Sequence, residues 1–178
     1  MMAAEMITPD AVYFMATHGG GLICLVMAGE RHDELKIATM APDNTALGDT
    51  GFTVSIDAKG RGVTTGISAH GRSQAICAVI DARSGPEYFA RPGHVFPLRS
   101  RANGLLGREG HTEAAVDLAG VSALHPSGVI CKILNDDGTM ARVSDLEGLV
   151  PAFAMPKGDL RLYFQGSVSL EPHSQISQ

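Results

Sequence analysis

The apolar run GLICLVM, residues 21–27, decides the fold class expected for this chain. A short, unbroken apolar run next to glycines is typical of a strand buried on both faces, whereas a helix needs a longer periodic segment. Upstream, Thr8-Pro9 and the apolar-periodic residues as far as Gly19-Gly20 predict a helix with a hydroxyl cap, a proline in its first turn and a glycine stop. We therefore expect a helix that leads directly into a buried strand.

Further strands and helices follow at irregular intervals. The expected strands are GFTVSID (51–57) and GVICKIL (128–134), with a short extended segment at 94–98, and the expected helices cover 69–82, 111–124 and a short segment opened by Ser144. Ser68 caps the helix at 69–82, although Gly71 weakens its first turn. The irregular alternation and the glycine-rich loops favour an α+β domain, a mixed β-sheet with flanking helices, over a regular doubly wound fold.

Length and composition predict one globular domain. The chain has 178 residues, of which 44% are hydrophobic and 19% charged, an ordinary globular composition. We expect the domain to cover residues 1–165 and the polar stretch 166–178 to be a flexible tail. Residues 162–167, LYFQGS, are typical of a protease-cleavage tag, so the tail carries no functional argument.

Charge and cysteine usage exclude several function classes. A formal charge of −5 at pH 7 argues against general nucleic-acid binding, which needs a basic surface. No apolar run approaches the roughly 20 residues of a membrane helix, and the N-terminus has no basic leader. Cys24, Cys77 and Cys131 are widely spaced, which is typical of reduced thiols in a cytoplasmic protein. Cys24 could be a nucleophile, but a packed core thiol is the better interpretation.

The segment REGHTEAA, residues 108–115, is the strongest candidate for a functional site. It places an arginine, a glycine, a histidine and a threonine immediately before a helix. A guanidinium and the free backbone N–H groups of a helix start bind anions, phosphate above all. The imidazole of His111 could bind a divalent ion or transfer protons near neutral pH. The same segment would also suit a structural turn before a capped helix.

A second segment, Arg91-Pro92-Gly93-His94, also combines an arginine, a glycine and a histidine. Two such segments in a small chain favour the hypothesis that they contribute to one site. Three other loops are rich in polar residues. Residues 43–45 are interpreted as a surface turn and residues 135–138 as a hairpin turn. Residues 63–68 are interpreted as a capped turn, which could also bind a polyol or phosphate.

Several motifs together resemble one enzyme family. They are PDNT (42–45), FTVSIDAK (52–59), GVTTGISA (62–69), RPGHVFPLR (91–99), REGHTEAAVDLA (108–119), GVIC (128–131) and NDDGTMAR (135–142). In this order they are similar to 3,4-dihydroxy-2-butanone 4-phosphate synthase, which converts ribulose 5-phosphate to the four-carbon phosphate and formate in riboflavin biosynthesis. The resemblance runs from about Ala3 to Glu147. It implies an α+β fold, a cytoplasmic homodimer with sites near the subunit boundary, and Mg²⁺ or Mn²⁺ as cofactor.

The resemblance also implies roles for individual residues. Those expected to bind the substrate phosphate are Arg108, Glu109, Gly110, His111 and Thr112. His111 is in addition the expected metal ligand, and His94 the residue expected to transfer protons. A divalent ion that bridges carbonyl and hydroxyl oxygens of the sugar acidifies the adjacent C–H, and a histidine can then move the protons of enolisation.

Three departures from the family are expected to matter. An acidic loop that supplies a metal-binding glutamate precedes the Ala3-Ala4-Glu5 segment in the family and is expected to be missing here. Lys132 stands at the position of the family's essential glutamate and is the second catalytic candidate, and Gly71 replaces an aspartate.

Three functional hypotheses therefore remain open. The first is a working synthase, and the second is an impaired relative that serves as a sugar-phosphate-binding or regulatory subunit. The third is a different lyase or isomerase that uses Lys132 as a base or imine-forming amine. Lys132 could also be a solvent-facing or ion-paired lysine.

Overall fold

Five strands form one sheet in the order β1-β5-β2-β4-β3 in the computed structural model, which describes residues 1–46 and 48–146. The strands are β1 Met2–Ala3, β2 Gly20–Met27, β3 Ile56–Ala58, β4 Phe89–Arg99 and β5 Ser127–Ile133. The helices are α1 Pro9–Phe14, α2 Gly29–Glu34, α3 Ala69–Ile80, α4 Gly104–Gly107 and α5 His111–Val121. Only β2 and β4 are parallel neighbours in this sheet, and the other pairs are antiparallel. The expected α+β fold with a mixed sheet is confirmed.

Hydroxyl caps begin two helices as predicted. Thr8 accepts the N–H of Ala11 at 3.1 Å before α1, and Ser68 accepts the N–H of Gly71 at 2.9 Å before α3. A side chain at residue 71 would place its Cβ 2.8 Å from the carbonyl oxygen of Thr65. Gly71 therefore lets the first turn of α3 lie directly against the loop before it, although glycine is a poor helix former.

The strand predicted at 51–57 is wrong in its bounds. The β3 ladder covers Ile56–Ala58, and residues 52 and 53 form only isolated bridges. Thr53 donates both its N–H and its hydroxyl to the carbonyl of Pro97, at 3.1 and 2.9 Å, so its side chain takes part in the contact with β4. The register then shifts, because Ile56 is opposite Val95 whereas Asp57 is opposite Ala90.

The sheet is covered on both faces. On one face, odd-numbered residues of β2 pack with α1 and α3. The buried members of this cluster include Val12, Ile23, Leu25, Met27, Ile76, Val79, Val95 and Val129. On the other face, even-numbered residues of β2 and β4 pack with α5 in a smaller cluster, formed by Cys24, Val26, Leu98, Ala115 and Val116. This second face carries the candidate site.

Helix α2 was not predicted, because its sequence GERHDE has no apolar stripe. Tertiary contacts hold it instead. Arg31 donates to the carbonyls of Val79 and Asp81, at 2.8 and 2.9 Å. His32 is fully buried and donates from Nδ1 to the carbonyl of Ala28 at 3.2 Å, while its Nε2 has no partner among the described residues. Burial lowers the pKa of His32 from 6.5 to about 4.

The free energy of unfolding is expected to fall as the pH is lowered from 6.5 to 4. The folded pKa of His32 lies below its unfolded value, so its neutral form stabilises the fold above pH 6.5 and this stabilisation is lost through pH 4. The loss should reach about 3 kcal/mol. Urea unfolding across this range should show a smaller pH slope for His32→Asn, whose amide can replace the Nδ1 donor. Equal slopes in both proteins would contradict this role.

Residues 1–140 form one compact unit, and 141–178 form a second, of which 141–146 are described. In the second unit, residues 143–146 are helical and Asp145 accepts the N–H of Arg142 at 2.7 Å. The expected domain end at 165, the cleavage-tag stretch and the tail at 166–178 lie outside the described residues. No helix within the described ranges is long and apolar enough to cross a membrane.

Candidate active site

Arg108 lies between α4 and α5, and a buried carboxylate fixes its side chain. Its Nη1 donates to Oε2 of Glu113 at 2.7 Å, and its Nε and Nη2 donate to the carbonyl of Gly48 at 3.2 and 2.9 Å. Glu113 is 1% exposed, and its other oxygen accepts the N–H of Arg101 at 3.2 Å. Gly110 lies directly against the Arg108–Glu113 pair, where a Cβ would collide with both side chains.

The guanidinium keeps part of its donor capacity. A guanidinium has five N–H groups, and the described residues accept three hydrogen bonds from Arg108, which leaves two N–H groups for a ligand. Arg108 also lines a cavity of about 580 Å³ together with Gly48, Asp49 and Arg101. Asp49 forms an ion pair with Arg101 in this cavity. This arrangement can bind an anion at a fixed position.

The start of α5 adds further donors. Gly110 is the N-cap residue and offers no side-chain cap, so the N–H groups of the first turn are available to a ligand. Of the residues expected to bind phosphate, Glu109 and His111 are exposed, whereas Thr112 is 5% exposed. The helix start therefore presents its backbone and the His111 ring, with Thr112 packed beneath.

The end of β5 lies next to the start of α5. The connection at 122–126 is short, so helix and strand run antiparallel, and Gly128 packs against Ala115. Lys132, four residues beyond Gly128 on an alternating strand, shares the face that α5 covers. His111, one helical turn before Ala115, lies on the same side of that contact. Partial burial and the charges of Lys132 and Arg108 lower the pKa of His111.

His94 is oriented by a carboxylate that sequence reasoning missed. Its Nδ1 donates to Oδ2 of Asp57 at 2.7 Å, and its backbone N–H donates to Oδ1 of the same residue at 2.9 Å. The His94 side chain is 45% exposed. This geometry fixes the tautomer and leaves Nε2 free to accept or donate a proton. Asp57 is the last residue of a predicted strand, and no feature of the sequence predicts that this residue lies beside β4.

His94 and the start of α5 lie on the same side of the sheet, but His94 belongs to β4, whereas α5 packs against β5. Phe96 and Leu98 pack with α5, and His94 has the same parity on β4. β2 lies between β4 and β5, so the backbones of His94 and Lys132 are about two strand spacings, roughly 10 Å, apart across the sheet. The structure thus groups Arg108, His111 and Lys132 and places His94 two strands away on the same face.

Cys24 is not an activated nucleophile in this environment. Burial, with the neighbouring Cys131, raises its pKa to about 11, so the thiol stays protonated at neutral pH. The three cysteines are free thiols. The expectation of a packed core thiol is confirmed.

The polar loop at 43–45 lines a second cavity, of about 600 Å³, together with Arg99 and Arg101. Arg99 is occupied by a bidentate ion pair with Asp33, at 2.7 and 2.8 Å. The loop was expected to be a surface turn, and its residues are exposed.

The residues around His111 do not fit a divalent metal ion. Within residues 1–46 and 48–146, no group of three or more His, Cys, Asp or Glu side chains could hold one. The charged neighbours that act on His111 are cations, namely Lys132, Arg108 and the N-terminal ammonium, and both oxygens of Glu113 already accept hydrogen bonds. Mg²⁺ prefers carboxylate and water oxygens, and the described residues do not gather two further protein ligands around the expected ligand His111.

Replacing Gly93 with alanine is expected to destabilise the protein and disturb the His94–Asp57 pair. A Cβ at residue 93 would overlap the backbone of Ile56 and Asp57, so β3 and β4 would have to separate, at a cost of about 2 kcal/mol. Gly120→Ala is the matched control. Its Cβ would meet nothing within 4 Å, and alanine in a helix should stabilise by about 0.5–1 kcal/mol. Urea unfolding measures both changes, and similar values for the two variants would contradict the close approach at Gly93.

Fold and geometry together define an α+β domain with a helix start that has no side-chain cap and a histidine that a carboxylate orients. The chain belongs to the 3,4-dihydroxy-2-butanone 4-phosphate synthase family, whose model matches residues 1–159. The expected resemblance is therefore confirmed. The missing acidic loop and the replacement of a glutamate by Lys132 stay predictions.

Individual relatives agree with the family assignment. The chain is 54% identical over 147 residues to the riboflavin biosynthesis protein RibBA of Aquifex aeolicus, covering 82% of this chain and 36% of that protein. It is 52% identical over 145 residues to the synthase of Agrobacterium fabrum, covering 82% and 68%. The chain thus spans little more than a third of the RibBA protein.

Two solved structures share the fold. One is RibBX, a two-domain synthase from A. baumannii, with a TM-score of 0.89 and 38% identity, covering 95% of this chain and 49% of that one. The other is a synthase in complex with two magnesium ions, with a TM-score of 0.90 and 34% identity, covering 95% and 83%. A solved relative thus binds a divalent ion.

Proposed function

We propose that this protein is a lyase of riboflavin biosynthesis that converts ribulose 5-phosphate to 3,4-dihydroxy-2-butanone 4-phosphate and formate. One observation carries the proposal: the His94 imidazole, oriented by Asp57, lies on the same sheet face as the anion-binding start of α5. Family membership supplies the substrate and the reaction.

The substrate's phosphate is assigned to the segment from Arg108 to Thr112. The two free N–H groups of Arg108 and the first-turn N–H groups of α5 bind phosphate oxygens. Glu113 keeps the guanidinium in place without competing for the remaining donors. Gly110 allows a close approach to the backbone, and His111 faces the ligand from the helix start.

The proton transfers are assigned to His94. Its Nε2 takes a proton from the carbon next to the carbonyl group and later returns it, while Asp57 stabilises the imidazolium that forms. Enolisation and the later rearrangement each need such a transfer. Family membership suggests Mg²⁺ or Mn²⁺ for these steps, but the described residues do not fit such an ion, so no step is assigned to it.

We further propose a homodimer in the cytoplasm, as family resemblance implies, with neither nucleic acid nor a membrane as partner. The free thiols and the formal charge of −5 support this assignment. Light scattering on the purified chain tests the dimer.

The decisive experiment is to incubate the purified chain with ribulose 5-phosphate, with and without Mg²⁺, and to measure formate. NMR of the products should show the four-carbon phosphate in equal amount. Binding of ribulose 5-phosphate without any formate would replace the synthase proposal by the sugar-phosphate-binding or regulatory subunit. A product other than formate would indicate a different lyase or isomerase.

A further inference from the structure

Lys132 is a cation without an acidic partner at the candidate site. It is exposed, and it forms no ion pair within the part of the chain that the structure describes. Arg108 has its charge balanced by Glu113, which is 1% exposed. Lys132 is therefore a side chain at this end of the sheet whose positive charge is left for a ligand, beside the N-terminal ammonium that also acts on His111.

The backbone determines where this charge lies. Gly21 of β2 lies so close to Lys132 that a Cβ would come within 2.7 Å of the lysine Cβ, so the base of the lysine side chain is held against the neighbouring strand. The antiparallel packing of α5 on β5 puts its ammonium and the helix start on the same side of the sheet.

A divalent ion and a lysine ammonium satisfy the same physical need in different ways. Each stabilises negative charge on phosphate or on sugar oxygens. A divalent ion, however, prefers carboxylate ligands, and no three His, Cys, Asp or Glu side chains of the described residues are grouped so that they could hold one. A lysine requires none, and its three N–H donors can bind several oxygens at once.

We propose that Lys132 supplies the positive charge that a divalent ion would otherwise bring, so that this chain binds ribulose 5-phosphate without divalent metal. Its ammonium contacts the sugar phosphate together with the two free N–H groups of Arg108. The identity of this sugar phosphate rests on the proposed function, whereas the independence from metal rests on the side chains that surround His111.

Calorimetric titration of the purified full-length chain with ribulose 5-phosphate, in EDTA and in Mg²⁺, tests this proposal. The dissociation constants in the two buffers should agree within about threefold, and Lys132→Gln should weaken binding about tenfold or more in EDTA, because a hydrogen bond to a charged group is lost. Lys132→Arg should retain most of the affinity because it retains the charge. The control is Lys59→Gln, which removes another exposed lysine and should bind as the unmodified chain does.

Each alternative outcome is informative. Three results would overturn the proposal. The unmodified chain could require Mg²⁺ for binding, Lys132→Gln could bind in EDTA as tightly as the unmodified chain, or the unmodified chain could fail to bind in either buffer. Formate measured on the same samples separates this proposal from the synthase activity. Metal-independent binding without formate would refute the activity alone, and Mg²⁺-dependent binding with formate would refute only the role of Lys132.

Discussion

Replacing Arg108 with alanine is expected to destabilise the protein by about 3 kcal/mol and to abolish measurable binding of ribulose 5-phosphate. The substitution leaves the Glu113 carboxylate, which is 1% exposed, without its ion-pair partner. It also removes the two N–H groups assigned to the phosphate. Urea unfolding and calorimetric titration measure the two effects separately.

Two further variants show whether the buried carboxylate causes the loss of stability. Glu113→Gln, introduced together with Arg108→Ala, removes the unpaired charge and should recover part of the lost stability without restoring binding. Arg83→Ala is the surface control, since Arg83 pairs with Asp81 while its side chain is 90% exposed, and it should change stability far less than Arg108→Ala does. Unchanged sugar-phosphate affinity in Arg108→Ala would remove this arginine from the site.

Replacing His94 with alanine is expected to lower the rate of formate formation by a factor of about 100 to 10,000, the usual contribution of a general acid–base group. Binding should change little, because His94 is assigned to proton transfer and not to the phosphate. The folded state should be nearly as stable as before, since the His94 side chain is 45% exposed. Formate assays under saturating substrate and thermal unfolding measure these effects.

Asp57→Asn tests the orientation of the ring. The amide can still accept the backbone N–H of His94, but it stabilises the imidazolium less well, so the rate should fall by less than in His94→Ala. His70→Ala removes an exposed histidine of α3 and should leave the rate unchanged. A rate for His94→Ala equal to that of His70→Ala would refute the catalytic assignment.

The buried strands could be predicted because each contains a short run of apolar residues, a pattern that is visible in the sequence alone. Residues 23–27 and 127–129 are buried, so the segments GLICLVM and GVICKIL are mostly apolar although Leu22 and Lys132 are exposed, and the structure confirms them as β2 and β5. The GFTVSID segment alternates like a strand, but its first residues form only isolated bridges, and its pairing with β4 changes register between Ile56 and Asp57. Alternation predicts extended backbone and cannot predict that the neighbouring strand bulges.

The segments that contain the candidate site residues could be predicted, but the side-chain pairs that orient those residues could not. The helix start at His111 and the loop around Arg108 follow from local residue types. Glu113 and Asp57, which hold Arg108 and His94, could not be identified, because each was interpreted as part of a regular element. Contacts between residues far apart in sequence, such as the 37 positions that separate Asp57 and His94, follow from the topology of the sheet.

The short connection at 122–126 has a consequence for how this protein can evolve. Its length determines which residues of α5 lie beside which residues of β5. Within it, Ala123 adopts a left-handed conformation (φ 57°). Added residues there would slide the guanidinium and imidazole relative to the ammonium and leave the rest of the sheet intact. Homologues should therefore conserve the length of this connection more strictly than its sequence, and should tolerate insertions more readily at the exposed turn that follows β5.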